Sequence, residues 1–324
     1  MAESNRISNV AIVGAGGNVG KNIAEALLAT KNFSVSALTR PNSPNSVPDG
    51  AIAKPVDYDV FSTLVDALRG QDVLIITLSV AAPPDTQEKL IRAAGEAGVK
   101  WILPNAWGGS SEAIHRDMPM FPVQSKAWAL ISEIGKSSYI AVGTGFWYEW
   151  SLAIHDAFGF DFANKKVILY DDGNTKLPIS TWPQVGRAVA SLLSLPISDK
   201  AKGPSLDMYR NSQVFINSFF VSQNDMFESV LRVTATKRED WTVTFEPSAE
   251  RFKTNMAELA TGNRRAFGRA LYARAMYPDG SGNFLKSHTT INDVLGLPTE
   301  DIDDATRAAI KRSQEVDPWG HAGR

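Results

Sequence analysis

The sequence predicts an α/β protein built on a doubly wound parallel (Rossmann) sheet, with a smaller mixed α/β region at its C-terminal end. Three observations predict it. Apolar strand-like runs and amphipathic runs alternate six times before residue 150 with short connections, a glycine turn follows the first run, and beyond about Ser151 the alternation breaks down. A division follows into residues 1–150, a dinucleotide-binding unit, and residues 151–324, a substrate region partly packed back on the sheet.

The first run, Asn9 to Val13, is apolar enough for a strand buried on both faces. Gly14, Gly16 and Gly17 follow, and Gly20 lies inside the amphipathic run Asn18 to Ala29. Gly14 permits a tight turn, Gly16 and Gly17 leave backbone open to a ligand, and Gly20 lets helix pack on strand. With Asn18 and Val19, these glycines offer free N–H groups at a helix N-terminus, a site for a pyrophosphate.

The second strand, Phe33 to Leu38, ends at Thr39-Arg40, where a dinucleotide's adenosine ribose lies. An acid there would favour NAD; the Arg40 guanidinium instead pairs with a 2′-phosphate, which makes NADPH the expected cofactor. The alternative is an ordinary solvent-exposed arginine. Ala51 to Val56 is the third strand. After it, Asp57 is a candidate for the adenine amino group and Asp59 for the cap of the helix Val60 to Arg69. The fourth strand, Asp72 to Leu78, leads into Ser79 and Val80, so Thr77, Leu78, Ser79 and Val80 should line the dinucleotide at the strands' carboxyl ends. Helix Asp85 to Ala97 and strand Val99 to Leu103 come next, then the polar, glycine-rich loop from Pro104 to Gly109.

The helix Val123 to Gly135 and strand Tyr139 to Val142 precede Phe146-Trp147-Tyr148-Glu149-Trp150. With Trp107, the residues Phe146, Trp147, Tyr148 and Trp150 either wall a pocket for a flat aromatic substrate or pack in the core. A helical run to Phe160 follows, then a hairpin of Lys166 to Tyr170 with Lys176 to Ile179. The helix Pro183 to Leu193 is capped by Ser180 or Thr181. Short strands are expected at Leu206 to Met208 and Val214 to Ile216. Helices are expected at Val221 to Val233, Ser248 to Ala260, Arg264 to Tyr277 and Asp303 to Ser313.

Composition narrows the function. The 324 residues carry a formal charge of −2 and no cysteine, which removes thiol nucleophiles, disulfides and zinc ribbons and gives no broad attraction for nucleic acid or anionic lipid. The four histidines show no metal-ligand spacing, so no metal is expected. No window approaches a membrane span, and Met1 to Ser8 has no apolar core of a signal peptide. A cytoplasmic protein, monomeric or homodimeric, with a small-molecule partner is expected.

In typical short-chain dehydrogenases a tyrosine four residues before a lysine acts as the acid. Here Pro122 stands four before Lys126, leaving a lone lysine that either works in a cleft as general acid/base or is solvated. The set Gly14-Ala15-Gly16-Gly17-Asn18-Val19-Gly20, Arg40, Leu103-Pro104-Asn105-Ala106-Trp107-Gly108, Lys126, and Gly173-Asn174 before Val185-Gly186 resembles the isoflavone-reductase-like branch of the NmrA-like atypical short-chain dehydrogenases, of phenylcoumaran benzylic ether reductase type. The similarity runs to about Leu195, and Gly145 to Leu152 with Ser180-Thr181-Trp182-Pro183 resembles a fungal subgroup.

The resemblance implies an NADPH-dependent oxidoreductase that reduces an aromatic or conjugated small molecule. It also implies Lys126 as catalytic acid/base and Arg40 on the 2′-phosphate; Asn105, in the loop after the fifth strand, is a further cofactor-binding candidate. The plant reductases read Leu-Pro-Ser-Glu-Phe-Gly where this chain has Asn105-Ala106-Trp107, and without a one-residue deletion Ser125 takes the lysine's slot. NmrA itself resembles these enzymes yet is a dinucleotide-sensing regulator, which is the alternative function.

Overall fold

The computed structural model describes residues 4–41, 43, 46–79, 82–109, 111–118, 125–199 and 203–315. The first half alternates as the apolar pattern dictates: β1 (Asn9–Val13), α1 (Asn18–Ala29), β2 (Ser34–Thr39), β3 (Ile52–Pro55), α2 (Phe61–Leu68), β4 (Val73–Ile76), α3 (Thr86–Ala97) and β5 (Trp101–Leu103). Then come α4 (Glu112–Asp117), α5 (Ser125–Ile134) and β6 (Ser138–Gly143). The short helix α4 is not anticipated by the sequence pattern; Ser111 caps it, its hydroxyl accepting from Ile114 N–H at 3.3 Å.

The second half contributes β7 (Phe146–Trp147), α6 (Tyr148–Ala153), α7 (His155–Phe158), β8 (Phe160–Asp161), β9 (Lys166–Tyr170), β10 (Leu177–Ser180) and α8 (Trp182–Ser194). It ends with β11 (Ser212–Phe215), β12 (Phe219–Val221), α9 (Gln223–Thr234), β13 (Thr242–Glu246), α10 (Ser248–Ala260), α11 (Ala266–Ala275) and α12 (Ile302–Ser313).

The main sheet has seven strands in the order β11-β6-β5-β4-β1-β2-β3, and every pairing in it is parallel. All carboxyl ends therefore share one edge, and the strand order reverses between β1 and β4, where open α/β sheets bind ligands. One face is covered by α1 and α8, whose Ile23, Leu27, Val185 and Val189 join a core with Val10 and Ile12. The other face is covered by α2, α3 and α5, through Leu64, Leu90 and Ile131. A Cβ at Gly186 would stand 2.3 Å from the carbonyl oxygen of Asn22, so α8 seats on α1 only because that position is glycine.

The chain beyond residue 150 thus returns to the sheet twice, through α8 and through β11. Two further sheets, β12-β10-β7 and β13-β9-β8, share a core with α6, α7, α9, α11 and α12.

Four expectations are corrected. The turn between β9 and β10 forms, with Asp171 at φ +54° and Gly173 at +72°, but the two strands do not pair as a hairpin. Both edges of β9 are occupied, by β8 antiparallel and β13 parallel, and the Asp171 carboxylate accepts from Ser248 N–H and Oγ at 3.1 and 2.5 Å. Leu206–Tyr209 is a 3-10 turn, and the strand nearby is β11, which ends at Phe215. The helix expected from Val221 begins at Gln223, because Ser222 and Asp225 form a reciprocal cap and residues before it pair with β10. Asp59 does not cap α2, whose cap residue is Val60; its carboxylate lies 3.5 Å from the Lys89 ammonium.

Candidate functional site

The site grows from the turn after β1. Gly14 has φ +79°, and a Cβ there would stand 2.1 Å from the Thr77 carbonyl oxygen; at Gly20 a Cβ would stand 2.2 Å from the Gly14 carbonyl oxygen. Neither position admits a side chain. Gly17 N–H donates to Gly14 O at 2.9 Å, closing the turn, and Gly17 is the cap residue of α1, so no side chain covers the first amides of that helix. Gly16 is half-buried, Asn18 is exposed and Val19 is buried in the core below. A pyrophosphate fits this cradle on both counts: uncovered N–H donors, and no Cβ between them and the strand ends.

At the end of β2, Thr39 is half-buried and its hydroxyl donates to the Arg40 carbonyl at 3.3 Å, while the Arg40 side chain is exposed. Burial raises the pKa of the Tyr58 phenol, and the charge of the Arg40 guanidinium opposes that shift. The Asp57 carboxylate is turned back on its own loop, accepting from Asp59 N–H at 2.9 Å.

Across the reversal point, Thr77 continues the sheet by one bond, its N–H donating to Val13 O at 3.0 Å and its hydroxyl to the same oxygen at 2.7 Å. Leu78 is half-buried and Ser79 exposed; Val80 lies outside the described residues. The Asn105 side chain faces Leu78, accepting its N–H at 3.1 Å and donating to its carbonyl at 3.3 Å. Trp107 is only 6% exposed and its indole N–H donates to Ile76 O at 2.9 Å, so the ring is a strut under the loop and offers little surface to a ligand.

The aromatic run after β6 does not form one wall. Phe146 stacks on Tyr272 at 4.4 Å between centroids, within the C-terminal core. Trp147 and Trp150 are half-buried and meet Trp182 at 6.4 and 6.3 Å, and the Arg312 guanidinium sits 4.6 Å over the Trp150 ring. Tyr148 is fully buried: its hydroxyl shares a 2.8 Å hydrogen bond with Thr306 of α12, and burial holds its pKa well above the usual range. A side chain with no accessible surface lines no cleft, so Tyr148 is corrected from pocket to core. Lys126 is exposed in the first turn of α5; the Ser125 side chain lies outside the described residues, as do residues 119–124 before it.

Two features escape sequence reasoning. Phe284 covers the loops after β5 and β6, its ring 3.6 Å from where a Cβ of Gly109 would stand and 3.5 Å from that of Gly145. Beside it, Phe215 stacks on the exposed His288 at 4.3 Å. The glycines at 109 and 145 were the only available signal, and they do not name their partner. The second is Glu149, buried within the aromatic run, whose carboxylate accepts from Trp182 N–H at 3.2 Å. Burial pushes its pKa up to about 7; the Glu300 charge adds to the shift, while backbone N–H donors and Arg312 oppose it. Among the described residues no three His, Cys, Asp or Glu side chains gather as a metal site, and no helix is long and apolar enough to cross a membrane.

Residues 6–153 match the NmrA-like family. "Oxidoreductase aprR" of Aspergillus flavus is 26% identical over 308 residues, covering 93% of this chain and 98% of that one. Among solved structures, isoflavone reductase superposes with a TM-score of 0.73 at 18% identity, over 93% of this chain and 98% of that one. AtPrR2 with NADP+ and (+)pinoresinol superposes at 0.71 with 19% identity, over 95% of this chain and all of that one. In its first 153 residues the chain is thus similar to the NmrA-like family, over nearly its whole length it is similar to aprR, and it shares its fold with isoflavone reductase and AtPrR2.

Proposed function

We propose that the protein is an NADPH-dependent reductase of an aromatic or conjugated small molecule, with Lys126 as its general acid/base. The observation that carries the reading is the cradle at Gly14, Gly17 and Gly20, closed against Thr77, with Arg40 on the rim where a 2′-phosphate would lie. NADP(H) as cofactor is also supported by related folds solved with it, among them leucoanthocyanidin reductase with NADPH from Vitis vinifera. When bound, NADPH supplies the hydride.

The chain's residues supply the rest. The uncovered amides of the first turn of α1 hold the pyrophosphate, and Arg40 pairs with the 2′-phosphate as a planar, permanently charged fork. Lys126 holds a proton at Nζ and delivers it to the atom of substrate that gains electron density. The half-buried rings of Trp147 and Trp150 favour a flat, largely apolar substrate. The test follows NADPH absorbance with a panel of quinones, aromatic enones and benzylic ethers. Decay with at least one member is expected, and tight NADPH binding without decay on any member would overturn the reading.

A further inference from the structure

We propose that Asn105 is a positioning residue: together with Gln87 and Trp107 it fixes the backbone from Ile76 to Leu78 as the floor beneath the nicotinamide half of NADPH. The proposal rests on the NADPH reading. Its ground is what happens to the chain where the sheet runs out. The last ladder position of β4 is Ile76, opposite Val13, and Thr77 N–H makes one more bond to Val13 O. Beyond that point β1 has turned away at Gly14 and β5 has ended at Leu103, so Leu78 has no strand on either side. A half-buried peptide group left in that state would be costly.

Asn105 replaces the missing strand. Its side-chain amide carries a donor and an acceptor in one plane, as a peptide group does, and it takes Leu78 N–H at 3.1 Å and gives to Leu78 O at 3.3 Å. Asn105 is itself held, because its own N–H donates to Gln87 Oε1 of α3 at 2.8 Å. Trp107 completes the lock from the same loop by donating to Ile76 O at 2.9 Å. Glutamine would be too long at 105, serine too short, and aspartate would set a carboxylate against the Leu78 carbonyl. Leu78's own N–H is therefore occupied and not free to bind a cofactor. The lock bears on the site through Thr77, whose carbonyl fills the space that a side chain at Gly14 would need.

The strand order places the adenosine over β2 and β3, beside Arg40, and the nicotinamide over β4 and β5, beside this lock. The two halves can be assayed apart, since 2′,5′-ADP carries the adenosine and 2′-phosphate without the nicotinamide. Calorimetric titration of wild type and Asn105→Ala with NADPH and with 2′,5′-ADP tests the assignment. The expected result is 2′,5′-ADP affinity unchanged and NADPH affinity lowered roughly fivefold to a hundredfold, the loss of two hydrogen bonds that order a loop. Equal weakening of both ligands, or weakening of neither with only a lower melting temperature, would overturn it. Should Asn105→Ala fail to fold, Gln87→Ala leaves the amide in place and removes only its anchor, and the same ratio is read with a smaller change. Wild type binding neither ligand would instead overturn the NADPH reading, and so the two failures are told apart.

Discussion

The glycine turn after β1 and the aromatic run after β6 both follow a strand at the same edge of the sheet, yet they are organised in opposite ways. Between Gly14 and Gly20 every constraint but one comes from within seven residues; the exception is Thr77, which closes the cradle. Between Phe146 and Trp150 each ring is held by a partner far along the chain: Tyr272 for Phe146, Trp182 for Trp147, Thr306 for Tyr148, Arg312 for Trp150. A site made by spacing binds what its backbone offers. A site made by tertiary contacts binds what those distant elements leave uncovered, so the proposed cofactor end is set locally and the proposed substrate end is set by the second half of the chain.

If the comparison is right, variants at the two ends separate cleanly. The largest effect is expected at Lys126: Lys126→Ala should lower turnover by about 10²–10⁴-fold with NADPH affinity unchanged, measured by single-turnover kinetics and titration. Near-full turnover would return the lysine to the solvated helix surface on which it is seen.

Glu149 probes the distant end through stability. Its carboxyl titrates from 4.5 to about 7 on folding, so the native state binds the proton more tightly than the unfolded chain. The sign follows: this group's contribution falls as pH rises through that window and is flat above it, by at most ~3 kcal/mol. Glu149→Gln should remove that slope and raise the urea midpoint at about pH 8 relative to wild type, with little change at about pH 4. An unchanged slope would show that folding leaves the Glu149 carboxyl where it stands in the unfolded chain.

Arg40→Ala should weaken NADPH by roughly tenfold to a hundredfold and leave NADH nearly unaltered, since a charge-assisted bond is worth ~1.5–3 kcal/mol. Equal losses for both would remove Arg40 from the 2′-phosphate. The smallest effect belongs to Tyr148→Phe, which deletes the hydroxyl bonded to Thr306 and should cost ~1 kcal/mol in unfolding free energy with no change in substrate KM. A changed KM with unaltered stability would put Tyr148 back in the pocket.

What could be read beforehand follows the same division. The helix Asn18–Ala29 and the buried runs of β1 and β4 were legible because their signals are periodic and local. The expected hairpin failed because the turn at Asp171–Gly173 is local while β13, which occupies the edge of β9, begins at Thr242. Thr181 as the cap of α8 was one of two readable choices, and its hydroxyl accepts from Gln184 N–H at 3.0 Å. At the site, Asn105 could be singled out by its position in a polar loop, but its bonds go to residues 18 and 27 positions away, which no spacing encodes. Glu149 looked like one more residue of an aromatic run until the fold buried it against the start of α8.

The central claim, that this cradle presents NADPH for reaction and does not merely sense it, is tested most directly by isotope transfer. NADPH carrying deuterium at one face of nicotinamide C4 is incubated with the protein and the quinone, enone and ether panel, and products are examined by mass spectrometry. Transfer of deuterium to a product from one face only is the result expected. NADPH that binds tightly and is recovered with its label intact in the presence of every panel member would contradict it.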